Sequence, residues 1–244
     1  MLDFAITTAV LYLPIAALAL AVRRETPPRS QRLTLTILAL AVTLVNGIVV
    51  LGGMAVQQQL PFFSALEWNW PGKIAAVIAT LAMMRCLPGA TRGEMGLTWK
   101  AMPGSVVPAM IAAVALCAFS WTLQAALTGP SPIEPERLAY QALMPGLDEE
   151  LFFRGLLLAV LIRAFGAGPS LAGAPIGWAA IAVTFLFAAG HGFRIIPDGV
   201  QFSALAVAVT GVIGFGLVWI RQRTGTLLAP ILAHNIINLG NGFF

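Results

Sequence analysis

Apolar and polar residues are distributed along this chain in blocks, with apolar runs of membrane length separated by short polar turns. A helix needs about 20 mainly apolar residues to cross a hydrocarbon layer of about 30 Å. Runs of that kind predict spans at 4–22, 33–56, 73–88, 106–128, 139–165, 176–191, 201–220 and 226–243. Residues 23–32 form a basic turn, 89–105 carry Arg92, Glu94 and Lys100, 129–138 are proline-rich and acidic, and 166–175 and 192–200 are short connections. Residues 57–72, where Gln57, Gln58 and Gln59 are followed by Trp68 and Trp70, have the aromatic anchors of a membrane–water interface. The pattern predicts an all-α polytopic membrane protein of about eight transmembrane helices, forming one integral membrane domain. Residues 1–105 supply three N-terminal spans and residues 106–244 the remainder.

Composition sharpens this picture. Of 244 residues, 59% are hydrophobic and only 10% charged, against about a quarter charged in a soluble domain. A net charge of +4 would suggest a nucleic-acid partner in a soluble protein. Here the basic residues sit in short loops, so the charge reads as topology and no nucleic-acid partner is expected. Arg23, Arg24, Arg29, Arg32, Arg85, Arg92, Lys100, Arg163, Arg221 and Arg223 follow odd-numbered spans. Lys73, Arg137 and Arg194 follow even ones. That bias puts the first set in the cytoplasm and both termini outside, as for a protein of the bacterial inner membrane. The first run is preceded by Asp3 and no Lys or Arg, unlike a cleavable signal. Cys86 and Cys117 lie in apolar runs and read as buried small hydrophobes.

Three polar clusters interrupt the apolar runs, and ionisable residues at membrane depth point to function. The fifth span contains Pro145-Gly146-Leu147-Asp148-Glu149-Glu150 and, four residues on, Arg154. Pro145-Gly146 is expected to break or kink the helix, leaving Asp148 to cap a restarted segment. Both glutamates would occupy its first turn, where the helix dipole favours anions. Glu150 and Arg154 are i,i+4 with the glutamate first, the favourable order for a pair. Glu149 is turned by about 100° from Glu150, so it is expected to be the unpaired carboxylate, suited to general acid–base chemistry. The second cluster is Phe187-x-x-x-His191 and the third His234-Asn235-x-x-Asn238. The chain has two histidines, and both fall in predicted spans. Span directions put all three clusters in the outer half of the bilayer, which predicts that the helices enclose one intramembrane polar cavity.

Glu149-Glu150-x-x-x-Arg154, then Phe187-x-x-x-His191, then His234-x-x-x-Asn238, in this order on late helices, resemble the CPBP family. This is the CAAX-protease and bacteriocin-processing family of intramembrane endopeptidases, also called Abi. The surroundings, Glu-Leu-Phe-Phe-Arg-Gly-Leu-Leu from Glu150 and Thr-Gly-Thr-Leu-Leu-Ala-Pro-Ile-Leu-Ala-His-Asn from Thr224, are similar to the family's as well. The resemblance covers roughly residues 110–242. It implies hydrolysis of a peptide bond in a membrane-associated protein or peptide by an activated water. Glu149 would be the base, His191 would hold or activate the water, and His234 and Asn238 would bind the oxyanion. Glu150, Arg154, Phe187 and Asn235 would support them. Two histidines and a glutamate are also a catalytic zinc set, so a metalloprotease with a divalent metal such as zinc on Glu149, His191 and His234 is the alternative. A metal ligand cannot easily also be the free base, which favours the glutamate-dependent form.

Processing of prenylated CAAX tails needs a cytosolic opening, whereas the charge bias turns the motifs outward. That orientation is closer to sorting-type proteases that clip membrane-anchored C-termini. Two other classes remain open: a non-proteolytic immunity or scaffold member of the same fold, and a proton-coupled transporter in which Glu149, His191 and His234 relay protons. The chain has no evident internal repeat of the kind transporters are built from.

Overall fold

Each predicted span from the second onward corresponds to a helix in the structure, a computed structural model that describes residues 13–19, 21, 27–196 and 199–244, without the side chains of 194–196. The expected outward N-terminus, the reading of the first residues and the charge of Arg194 lie outside the described residues. Residues 13–19 are helical. The helices that follow are α1 (Arg29–Val56), α2 (Trp70–Cys86), α3 (Val106–Leu127), α4 (Pro135–Glu149), α5 (Leu158–Phe165), α6 (Trp178–Gly192), α7 (Ala204–Thr224) and α8 (Leu228–Leu239). Between α4 and α5 a π-helical segment, Glu150–Leu157, carries the chain on without a break. Several ends have local causes. At the start of α2 the Asn69 side chain accepts from the Gly72 amide, and Pro71 fits the first turn. At α7 the Ser203 side chain accepts from the Ala206 amide, and Gly225 closes the helix in the left-handed region.

Among the described residues three helices are long and apolar enough to cross a membrane: Arg29–Gln59, Val106–Leu127 and Ala204–Thr224. Trp178–Gly192 is a shorter apolar helix. Length and composition thus single out these three as candidate crossings, while α2, α4, α5, α6 and α8 are shorter. The outer surface fits a lipid solvent. Ile37, Ile48, Val107, Ile111, Val114 and Leu232 all point outward with about half or more of their surface exposed. In water such a surface would be an aggregation site, whereas helices with satisfied backbones tolerate it in hydrocarbon. Cys86 is exposed and Cys117 half-buried, so neither is the fully buried residue expected.

The acidic-motif helix is the centre of the molecule. Phe152, Leu156, Leu157, Leu158, Val160, Leu161, Ala164 and Phe165 are essentially inaccessible. They pack against α1 and α6, while α4 lies against α2 and α8. α7 packs against α3 and α6, and α8 also touches α3. The charged motif is thus carried by the most enclosed helix.

Two expectations are corrected. The fold is not purely helical, because the connections around 170 and 197 are short antiparallel hairpins. Ser170–Leu171 (β1) pairs with Ala174–Pro175 (β2), and Phe193–Ile196 (β3) with Gly199–Phe202 (β4). A hairpin satisfies the backbone groups of a short turn locally. Second, Pro145-Gly146 does not end the helix, since α4 runs through both residues to Glu149. Proline removes one amide from the ladder, and the next amide, Gly146, donates to Asn235 Oδ1 of α8 at 2.8 Å. Glycine is needed there: a Cβ at 146 would overlap Asn235 Oδ1 and lie 2.6 Å from the Ile231 carbonyl. With no restart to cap, Asp148 faces α2 instead.

Candidate active site

The three sequence clusters converge on one cavity of about 520 Å³. Its wall includes Glu149 and Tyr140 from α4, Phe187 and His191 from α6, and His234 and Asn238 from α8. Lys73 of α2, Gln124 of α3 and Thr210 of α7 add to its polar lining. Glu150 and Arg154 lie behind this wall, with no accessible surface.

The rear cluster is a buried ion-pair network. Arg154 Nη1 donates to Glu150 Oε1 at 2.8 Å, and Nη2 donates to the Gly214 carbonyl at 3.0 Å. The guanidinium lies over the Phe187 ring, 4.2 Å from its centroid. Gly214 permits this approach, because a Cβ there would sit 2.8 Å from Phe187 and 3.4 Å from Arg154. His234 Nδ1 is 2.7 Å from the same Glu150 Oε1. A carboxylate only accepts, so Nδ1 carries the proton and donates to it. The expected Glu150–Arg154 pair is present, and His234 joins it.

The cavity side is built differently. Glu149 Oε1 accepts from Lys73 Nζ at 2.7 Å, and Asp148 Oδ2 accepts from the same ammonium at 2.8 Å. Glu149 Oε2 has no hydrogen-bond partner among the described residues and lies 3.7 Å from His191 Nε2. His191 Nδ1 is 2.8 Å from the Phe187 carbonyl. A carbonyl accepts, so Nδ1 donates and, in the neutral ring, Nε2 keeps its lone pair facing Glu149. Phe187 orients this ring from the side too, with the two centroids 4.5 Å apart. It also stands edge-on to His234 at 5.9 Å.

The expectation of an unpaired Glu149 is therefore corrected. The unforeseen group is Lys73, placed by the sequence pattern at the edge of a span and counted with the loops. Its residue number gives no hint of a partner 75 and 76 positions away. The available signal was its position in the first turn of α2, where a cation opposes the helix dipole and calls for a counter-charge. His234 also differs from expectation, since its Nδ1 serves Glu150 and not Glu149. Asn235 does not face the reaction space; it ties α8 to α4 through Gly146. Asn238 lines the cavity as expected.

The zinc alternative can be tested on this donor set. Glu149 Oε1 is engaged by the Lys73 ammonium, while His191 and His234 each commit Nδ1 to an acceptor, which leaves Nε2 as the nitrogen a metal would use. Among the described residues no group of three His, Cys, Asp or Glu side chains is arranged to hold a metal ion. Glu149, His191 and His234 are thus not gathered around one point, and no step below is routed through a metal.

Among known protein families, residues 135–240 match the model described as Rce1-like, Type II CAAX prenyl endopeptidase Rce1-like. This stretch spans α4 through α8 and contains every motif residue above. No curated protein and no solved structure matches the chain.

Proposed function

We propose, from the match of residues 135–240 to the Rce1-like family of CAAX prenyl endopeptidases, that this protein is a glutamate-dependent intramembrane endopeptidase. The observation that carries this reading is the pairing of Glu149 Oε2 with His191 Nε2 at 3.7 Å on the cavity wall. That separation is too long for a direct hydrogen bond, and it leaves the enclosed Oε2 to be partnered by the attacking water.

In the proposed reaction the water oxygen attacks the scissile carbonyl carbon while Glu149 Oε2 takes one of its protons. The carbonyl π-electrons move to oxygen, and the oxyanion is held from α8. Asn238 donates through its amide. Because His234 already gives Nδ1–H to Glu150, its Nε2 can donate only when the ring carries both protons. Donors set in advance around a water-poor cavity are the efficient way to stabilise such charge. Collapse of the tetrahedral intermediate breaks the C–N bond, and Glu149 passes its proton to the leaving amine. The products are a carboxylate and an amine.

The substrate is a membrane-anchored protein or peptide. The cavity wall extends to the end of α3, at Gln124 and Leu127, the start of α7, at Ser203 and Leu205, and Asn241. These termini lie opposite the basic loops that follow odd-numbered spans, so the charge bias favours entry from the outer face. An outward mouth favours anchored tails presented outside the cytoplasm.

The test is a reconstituted full-length protein given two probes, a farnesylated peptide ending in a CAAX sequence and the same peptide without the prenyl group. Cleavage of either that disappears in Glu149→Gln supports the reading. Cleavage that survives Glu149→Gln at the wild-type rate overturns it. Labelling of a single cysteine introduced at Asn241 by a membrane-impermeant reagent in intact cells tests the orientation; labelling only after lysis would reverse it.

A further inference from the structure

Glu149 is held by a neighbouring helix. Its Oε1 rests on Lys73 Nζ, which also holds Asp148 Oδ2. Asp148 is almost wholly enclosed, and Lys73 is only 13% exposed. Consecutive residues on a helix diverge by about 100°, so one ammonium touching both carboxylates must sit between them and limit the rotation of each. The ammonium is itself anchored. The turn that carries it is pinned by Asn69, which accepts from the Gly72 amide at 3.0 Å and donates to the Val50 carbonyl of α1 at 2.8 Å. A cation in the first turn of a helix works against the dipole, so local helix energetics do not explain Lys73; the two carboxylates do.

We propose that Lys73 and Asp148 are a positioning pair for the candidate base, an inference that rests on the endopeptidase reading above. Lys73 fixes Glu149 by one oxygen and leaves the other directed at His191 Nε2. Asp148 has a separate task. With one carboxylate, the ammonium would form a neutral pair and Glu149 would be fully committed to it. With two, the trio keeps one net negative charge, so Glu149 is fixed in place and still able to accept a proton from water. Lys73 has three N–H donors, of which two are accounted for. Neither Lys73 nor Asp148 is required to touch substrate. In this account the three consecutive acids have separate roles: Asp148 shares the cation, Glu149 takes the proton, and Glu150 closes the buried network with Arg154.

The experiment uses the full-length protein in nanodiscs with the farnesylated peptide probe, comparing wild type, Lys73→Met, Lys73→Arg, Asp148→Asn and Glu149→Gln. A misplaced carboxylate costs up to about 100-fold in rate, so Lys73→Met lowers kcat by about that factor with KM changed less than about twofold. Lys73→Arg, which keeps a cation able to bridge two carboxylates, restores most of kcat. Asp148→Asn keeps its volume and an acceptor for Lys73 but removes the shared charge, and lowers kcat by about tenfold as the base weakens. If Lys73→Met does not fold, Lys73→Arg and Asp148→Asn decide. A silent Glu149→Gln with wild-type kcat in Asp148→Asn, and a Lys73→Arg no better than Lys73→Met, overturn the positioning pair while leaving the endopeptidase reading intact. An active Glu149→Gln overturns both.

Discussion

Glu149 and Glu150 are neighbours in sequence, each lies on a cation and each is close to a histidine, yet their surroundings differ in one decisive respect. Glu150 is sealed. Arg154, His234 and the Phe187 ring surround it, and neither Glu150 nor Arg154 has accessible surface. Glu149 is on the cavity wall, with 16% of its side chain exposed and one oxygen held by Lys73. The lesson is that a charge inside a membrane helix is not by itself a reactive group. A carboxylate shut away behind the wall is architecture, and one that lines the cavity can take up a proton.

Variants can break this contrast in a definite order. The largest effect belongs to Arg154→Ala. Removing one partner of a buried pair leaves an uncompensated charge, at a cost of about 3–5 kcal/mol. The protein should unfold at a much lower temperature in detergent, and a melting point within a few degrees of wild type would mean that the Glu150 cluster is not structural. Next comes Asn238→Ala on the cavity side. Loss of one oxyanion donor lowers kcat by about 10²–10³-fold, with the melting point unchanged. A change confined to KM would remove Asn238 from the transition state. Asn235→Ala should be milder. It leaves the Gly146 amide without its acceptor next to Pro145, a loss of about 1–3 kcal/mol in thermal stability, and the folded fraction keeps its kcat. An Asn235→Ala protein of full stability but low kcat would move Asn235 from the helix contact to the reaction space.

Much of the fold was legible because lipid is a demanding solvent. Apolar runs of membrane length survive as α1 through α8 with ends shifted by a few residues, since a span has few other ways to satisfy its backbone. The pairing of Glu150 with Arg154 was legible as well, because i,i+4 geometry is local. What the sequence hid was set by contacts between helices. Pro145 ordinarily ends a helix, and it does not here because Asn235, 89 residues from Gly146, supplies an acceptor. Asp148 therefore never becomes a cap. Lys73 reads as a flanking cation after Trp70-Pro71-Gly72, and only the packing of α2 on α4 turns it toward Asp148 and Glu149. The convergence of His191, His234 and Asn238 on one cavity was expected from their depth in the spans. The choice of His234 for Glu150 over Glu149 depends on helix rotation, which the residue order leaves undetermined.

The central claim, that two adjacent glutamates divide reaction from architecture, is tested most directly by a matched pair of isosteric variants, Glu149→Gln and Glu150→Gln. Each is measured for melting temperature and for cleavage of the prenylated probe in the same nanodiscs. The amide oxygen that Glu149→Gln introduces still accepts from Lys73, so this variant should melt like wild type and lose about 10²–10⁴-fold in turnover. Glu150→Gln should melt well below wild type, and its folded fraction should retain measurable cleavage. A Glu149→Gln protein that cleaves at the wild-type rate, or a Glu150→Gln protein that is fully stable and wholly inactive, would contradict the division.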